Sequence, residues 1–436
     1  MRLLSYILSV LIIGICSCQR SVELSKGSHF TQLNPAKLGI DFVNQLHYDE
    51  DFNTYIFRSF YNGAGVGLGD LNNDGLLDLF FCGNQVDNKL YINQGDFQFE
   101  DVTQPAGVAS HGAWSTGVSL VDINSDGWLD IYVCKSGLPE GENRHNELFI
   151  NNGLDAQGIP TFTESAKAYG LADLGFSVHA VFFDFDKDDD LDMYLSNNSI
   201  NPTDVVMDAS KGLRDKRDPN GGNKLYRNDG IPSSRGGTGN GFTDISEVAG
   251  IYGSAIGFGL GVSVGDIDRD GWPDIFVAND FFEKDYLYIN QGDGTFKESL
   301  EEIIDEISLG SMGVDIADVN NDGYPEIFVT EMLPDEESRL KTKTVFDNWD
   351  AYTLKVKNGY YRQFPRNVFQ LNQGPAPIAI GDGVHFSEIS RSSGVEATDW
   401  SWGAFMVDLD NDGFKEIFVT NGIVKDLLDQ DYTDFY

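Results

Sequence analysis

Six nine-residue acidic segments cut to one pattern constrain this chain more than anything else in it. Each reads Asp, any residue, Asp or Asn, any residue, Asp, usually Gly, two residues, then Asp or Glu, at residues 70–78, 122–130, 184–192, 266–274, 318–326 and 408–416. One copy would be a surface turn, because Asp, Asn and Gly are turn formers in their own right. Six copies in phase define a repeat architecture. They hold 23 of the 69 acidic residues, which stand against 30 basic ones for a formal charge of -39. That field repels nucleic acid and anionic lipid over most of the surface and argues against a polynucleotide partner. Carboxylates this close need counter-ions to coexist in a folded loop, and one dication per loop would return about 12 positive charges.

The flanking sequence reads as strand. Gly65 to Gly69 and Gly261 to Gly265 typify what precedes a loop, and LDLFF, LDIYV, LDMYL, PDIFV, PEIFV and KEIFV end or follow the six. The tenth residue after the first Asp is always aromatic (Phe80, Tyr132, Tyr194, Phe276, Phe328 and Phe418), the mark of a buried strand position. Two further strand-like runs follow most hairpins: one ends in Asn and Gly, as in KLYINQG from Lys89, and one is aromatic and polar, as in FEDVTQPAGV from Phe99. Four strands per repeat make a propeller blade. The loops start 52, 62, 82, 52 and 90 residues apart, near the blade period once insertions at about 200–222 and 331–366 are removed. The expected fold is all-β, a β-propeller of four-stranded blades.

Calcium takes six to eight oxygens at about 2.3–2.6 Å, and a tight hairpin offers side chains at positions 1, 3, 5 and 9 with the carbonyl of position 7. The first loop supplies Asp70, Asn72, Asp74, Asp78 and the Leu76 carbonyl, and the second Asp122, Asn124, Asp126, Asp130 and that of Trp128. The third has Asp184, Asp186, Asp188, Asp192 and Asp190; the fourth, Asp266, Asp268, Asp270, Asp274 and Trp272. The fifth has Asp318, Asn320, Asp322, Glu326 and Tyr324, and the sixth Asp408, Asp410, Asp412, Glu416 and Phe414. Position 6 must turn sharply with φ above zero, which Gly75, Gly127, Gly271, Gly323 and Gly413 allow. Asp189 stands there in loop three, so that site is expected to carry more charge and more strain. Because each loop joins two strands, its expected task is structural: calcium neutralises it and fixes the hairpin. Extracellular modules bind calcium at about 0.1–1 mM, and magnesium fits less well because it insists on octahedral geometry.

The N-terminus reads as an export signal: Arg2, an apolar run from Leu3 to Ile15 too short to span a bilayer, then Cys16-Ser17-Cys18. It resembles a bacterial lipoprotein signal, cleaved after Ser17 and lipidated on Cys18, with an ordinary secretory signal as the alternative. The domain plan is a signal at 1–17, a linker at 18–28 and the propeller at 29–436. Cys82 and Cys134 each fall twelve residues after the first Asp of a loop, where other repeats have Ser196, Ala278, Thr330 and Thr420, and are read as core thiols. Catalytic patterns are thin. Ser263 sits in a G-x-S-x-G string but within a repeat strand, and GAGVGLG from Gly63 leads into a loop instead of a helix. His111 and His179 lie in strand-like segments, where packing is the expected role.

The string G-D-[ILV]-[DN]-x-D-G-x-x-D-[IL]-[FY]-[VL] resembles the FG-GAP, or VCBS, repeat of integrin α-like propellers, over nearly everything after residue 29. That resemblance implies a seven-bladed ring with calcium in the hairpin loops. FRSFYNGAGVGLGDLNNDG from Phe57, RQFPRNVFQLNQG from Arg362 and VTNGIVKDL from Val419 look like the group that precedes an ASPIC/UnbV segment, the cartilage acidic protein-like group. Only 28 residues follow the sixth motif's first Asp, so a truncated chain and an incomplete ring of about six blades are expected. HFTQLNPAKLGIDF from His29 resembles an outer strand that completes the last blade. Two functions compete: a calcium-bearing surface module that binds a protein or polysaccharide, and a calcium-dependent carbohydrate-active enzyme such as a lyase. A lyase would need Lys, Arg, Tyr or His gathered in one cleft. Trp349, Tyr352, Tyr360, Tyr361 and Phe364 in the second insertion either contact a ligand or anchor a helical insert. The expected location is the bacterial outer membrane or cell surface, with secretion or the periplasm as the alternative.

Overall fold

Each acidic segment closes a hairpin between the first and second strands of a sheet. The computed structural model describes residues 30–112, 114–137, 144–200, 212–230, 232, 237–344, 346–375 and 383–423. The signal at 1–17, Cys18, the linker at 18–28 and residues 201–211 of the first insertion lie outside them. Blade one is Val66–Gly69, Asp78–Phe81, Lys89–Asn93 and Phe99–Asp101; blade two is Trp114–Val121, Asp130–Ser136, Glu147–Leu154 and Pro160–Glu164. Blade three is Ser177–Phe183, Asp192–Asn197, Lys224–Asn228 and Phe242–Asp244; blade four is Gly259–Gly265, Asp274–Asn279, Tyr286–Asn290 and Phe296–Glu298. Blade five is Val314–Ala317, Glu326–Val329, Val368–Pro375 and Val384–Glu388, and the sixth sheet is the hairpin Ser401–Val407 with Glu416–Asn421. The five full sheets are antiparallel meanders, with first strands of successive sheets side by side. This is a β-propeller with an incomplete ring.

The core is distributed between blades. Along the second strand of blade two, Ile131 and Val133 face blade one while Tyr132 and Cys134 face blade three, so both sides of the sheet are apolar. The aromatic tenth position always faces the next blade: Phe80, Tyr132, Tyr194, Phe276 and Phe328 are at most 1% exposed. Phe418 in the sixth sheet is 39% exposed. Cys82 and Cys134 are buried free thiols in different inter-blade cores, which burial holds above the usual thiol range.

At the axis the first strands approach closely. Five residues before the loop stand Gly65, Gly117, Gly261, Gly313 and Gly403; a Cβ on Gly313 would lie 2.1 Å from the Trp402 carbonyl, and one on Gly261 2.6 Å from that of Met312. Blade three alone has a larger side chain there, His179, which faces a central cavity of about 200 Å³ lined by residues of blades two, three and four and the sixth sheet, and by the segments that lead into blades one and five. Desolvation lowers its pKa. His111 departs from expectation: it is exposed in a turn and pairs with Asp87 at 2.8 Å, because its strand begins only at Trp114.

The N-terminal run also differs from the sequence reading. Phe30–Asn34 joins no ladder, and a short helix follows at Pro35–Leu38. Yet its docking copies that of an outer segment. A Cβ on Gly39 would meet the carbonyl of Phe99 as one on Gly170 meets Phe242 and one on Gly250 meets Phe296. The Asp41 N–H donates to the Tyr91 hydroxyl as the Tyr252 N–H does to Tyr288. Phe30 packs on Phe418 at 5.8 Å between ring centroids. The segment thus lies where the outer edge of a blade preceding blade one would lie. Val66 and Leu68 on one side of the opening, and Phe405 and Val407 on the other, stay exposed.

Each connection from second to third strand is clamped by one buried side chain. Asn88, Asn146, Asn223, Asp285 and Asn367 accept the N–H of Gly83, Lys135, Asn197, Asn279 and Glu331. Asn146 also donates to Tyr132 and Ser177 and is fully buried. Replacing it with Ala strands the Lys135 N–H. Urea unfolding of Asn146→Ala is expected to show about 2 kcal/mol lost stability at an unchanged denaturant slope.

Candidate metal centres

The loops are built from side chains that accept backbone N–H groups. In loop one, Asp70 takes the N–H of Asp74 at 3.1 Å and of Gly75 at 2.8 Å, Asn72 takes Asp74 at 3.1 Å, and Asp74 takes Leu76 at 2.8 Å. Loops two, five and six repeat all four bonds. Loops three and four repeat three each, the position 5 to position 7 link among them. The N–H of every position 7 residue (Leu76, Trp128, Asp190, Trp272, Tyr324 and Phe414) is held this way.

This wrapping forces two residues per loop into the left-handed region. Position 6 has φ of 86° to 93° where it is Gly and 71° at Asp189. Position 4 is left-handed as well, from 56° at Ser125 to 63° at Arg269, with Asn73, Lys187, Asn321 and Asn411 between. The Asp189 conformation is the one expected for the sixth position; that of position 4 was not legible in the sequence, because Lys and Arg are not left-handed formers.

Position 9 is the buried floor. Asp78, Asp130, Asp192, Asp274 and Glu326 have no exposed surface. In the four Asp cases one oxygen accepts the N–H of position 2 (Leu71, Ile123, Phe185, Ile267) and the other that of a third-strand Asn (Asn93, Asn151, Asn228, Asn290). Glu326 takes the Val319 N–H and the Asn320 side-chain amide. Burial pushes Asp78 up to about 6, Asp130 and Asp274 to about 7 and Asp192 to about 8, against the pull of those N–H donors. Burial likewise raises Glu326 to about 7.

Positions 1, 3 and 9 converge. Ligand atoms of Asp184, Asp186 and Asp192, of Asp266, Asp268 and Asp274, and of Asp408, Asp410 and Glu416 lie within 4.8 Å of one another in each trio. Loops one, two and five carry Asn72, Asn124 and Asn320 at position 3. One oxygen each of Asp186, Asp190 and Asp266 is buried with no hydrogen-bond donor. Such atoms are costly unless something positive meets them, so the donor set fits a hard divalent cation. Loop six is the least enclosed: Asp410 and Glu416 lie nearer the surface, without a third-strand Asn beside them among the described residues.

Other sequence candidates fall elsewhere. Ser263 pairs with Phe276 inside the first hairpin of blade four. The central cavity contains one titratable side chain, His179. Tyr360 is fully buried against Phe282, Tyr361 bonds the Ile304 carbonyl, and Tyr352 stacks between Trp349 and Phe364, so most of the insertion's aromatics anchor its helices at Glu337–Lys343 and Trp349–Lys357. Trp349 remains 77% exposed.

Fold and loops together are similar to those of integrin-like propellers built from FG-GAP repeats. The FG-GAP-like repeat matches residues 70–133 and 266–329, spanning loops one and two and loops four and five, and the chain carries FG-GAP repeats. It is homologous to cartilage acidic protein 1 of Xenopus tropicalis, 27% identical over 255 residues, 58% of this chain and 34% of that protein. It is also homologous to integrin alpha-8 of Gallus gallus, 32% identical over 116 residues, 23% of this chain and 11% of that protein. The chain thus spans about a third or less of the curated relatives it matches. A solved structure of an Agrocybe aegerita lectin that recognises non-reducing terminal N-acetylglucosamine aligns over 84% of this chain and 77% of its own, at 15% identity and a TM-score of 0.43.

Asp189 pays twice, in backbone conformation and in like charge beside Asp188 and Asp190. Asp189→Gly is expected to stabilise the chelator-treated protein by about 1 kcal/mol, read from its urea midpoint; an unchanged or lower midpoint contradicts the strain.

Proposed function

We propose that this chain is a calcium-stabilised surface module that binds a protein or polysaccharide, with calcium holding the blade hairpins in shape. The observation that carries the calcium reading is the convergence of positions 1, 3 and 9, with buried carboxylate oxygens left without donors in loops three and four. In each loop the ligands are side-chain oxygens of positions 1, 3, 5 and 9 with the position 7 carbonyl. The ion supplies positive charge that ionises the buried ninth carboxylate and replaces its lost hydration. The weak affinity typical of such extracellular sites suits a protein exported by its N-terminal signal and anchored through a lipid on Cys18. No described helix is long and apolar enough to cross a membrane.

Recognition belongs on the opposite face. The acidic loops join first to second strands, whereas the insertions at about 200–222 and 331–366 join second to third strands at the other end of the blades. Exposed Trp349 and Phe346 stand there, beside a groove of about 390 Å³ lined by Leu333, Leu340, Phe364, Arg366 and Arg391 among others. Aromatic rings next to guanidinium groups suit sugar or protein contacts. Separation of the faces lets calcium stiffen the scaffold without occupying the ligand surface.

Two measurements test this. Calcium at ten times its dissociation constant contributes about 1.4 kcal/mol per occupied loop, so chelation should lower the melting temperature and calcium restore it; an unaltered melt removes the calcium role. On glycan and protein arrays, Trp349→Ala should weaken binding at an unchanged melting temperature, and release of cleaved sugar would contradict a purely binding role.

A further inference from the structure

Among the described residues, side-chain hydrogen bonds and cation–π contacts join neighbouring loops, except between the second and the third. Resting on the calcium reading above, we propose that the loops form two cooperative groups, one and two in the first, three to six in the second. The links come from two sources. The left-handed position 4 throws its side chain toward the next loop: Asn73 donates to the Gly127 carbonyl at 3.1 Å and Asn321 to that of Gly413 at 2.9 Å. Lys187 lies 4.1 Å over the Trp272 ring and Arg269 5.0 Å over Tyr324. Lys415 in loop six reaches back to the Asp318 carbonyl at 3.1 Å.

The second source is the third-strand Asn. The Asn290 side chain donates to the Pro273 carbonyl in its own loop and to that of Phe185 in loop three, at 3.2 and 2.9 Å. Its backbone N–H donates to Asp274, while the Phe185 N–H donates to Asp192. A hydrogen-bonded relay therefore joins the buried ninth carboxylate of loop three to that of loop four. Asn372 ties loop five to Ile267 of loop four, and Asn151 ties loop two to Leu71 of loop one.

Between loops two and three both links fail. Asn228 reaches only the Leu191 carbonyl of its own loop, and Ser125 is too short to cross, so no hydrogen bond or ring contact spans these loops among the described residues. An ion that fixes one loop should pre-order its linked neighbour and lower the ordering cost of the next ion, in either direction. Across the break it should not.

The position 7 indoles report on either side of loop three. Trp128 stands in loop two and Trp272 in loop four, each isolated by subtracting the calcium titration of its Trp→Phe counterpart. Disabling loop three with Asp184→Asn and Asp188→Asn should weaken the Trp272 calcium midpoint at least about fivefold and leave that of Trp128 unmoved. Equal shifts at both reporters would trace to through-space charge, and no shift at either would make the loops independent. Both results overturn the grouping while leaving calcium binding intact; absence of any calcium signal in the unaltered protein overturns both. Circular dichroism at saturating calcium checks the fold. Lys187→Met, which removes no ligand atom, should flatten the Trp272 titration alone, and an unchanged slope there counts against the proposal.

Discussion

In the five full blades the ninth residue of the loop buries a carboxylate, and the surroundings are arranged around that burial. Removing an ionised carboxylate from water costs several kcal/mol unless donors or opposite charge replace its hydration. In the four Asp cases two backbone N–H groups supply part of that replacement, one from the start of the loop and one from the third strand. The same two bonds fix the hairpin's closing geometry and the third strand's place beside it. They leave the pKa raised, so the donors alone do not complete the site.

From that floor outward the architecture follows with few further choices. A fixed hairpin presents alternate residues of its second strand to two neighbours, so an apolar strand on both faces generates a core on each side and a ring of sheets. The glycines at the axis let the first strands close to backbone contact, and the buried Asn or Asp before the third strand turns the chain back at the far end. The acidic loops and the two insertions, in blades three and five, consequently lie at opposite ends of their blades.

Much of this was legible in the chain. The repeated carboxylates, the aromatic tenth residue and the Gly at position 6 each obey a local rule that does not depend on the rest of the fold. What escaped depends on neighbours. The third-strand Asn was visible as the end of a recurring run, but its bridge to another blade's carbonyl was not. The clamping Asn or Asp immediately before the third strand recurs in all five full blades, and a search of that position would have found it. His111 read as strand because its segment precedes a repeat loop, yet its strand begins later, at Trp114, and the imidazole lies in water beside Asp87. The insertion's aromatics could not be divided between ligand and anchor until Tyr360 and Phe364 were seen packed and Trp349 exposed.

The most direct test is diffraction from crystals grown with calcium, with anomalous scattering locating the ions. The account predicts peaks in the loops at about 2.3–2.6 Å from side-chain oxygens of positions 1, 3, 5 and 9, strongest where Asp184, Asp186 and Asp192 and where Asp266, Asp268 and Asp274 converge. Loops holding only water, with those carboxylates turned away from a common point, would contradict it.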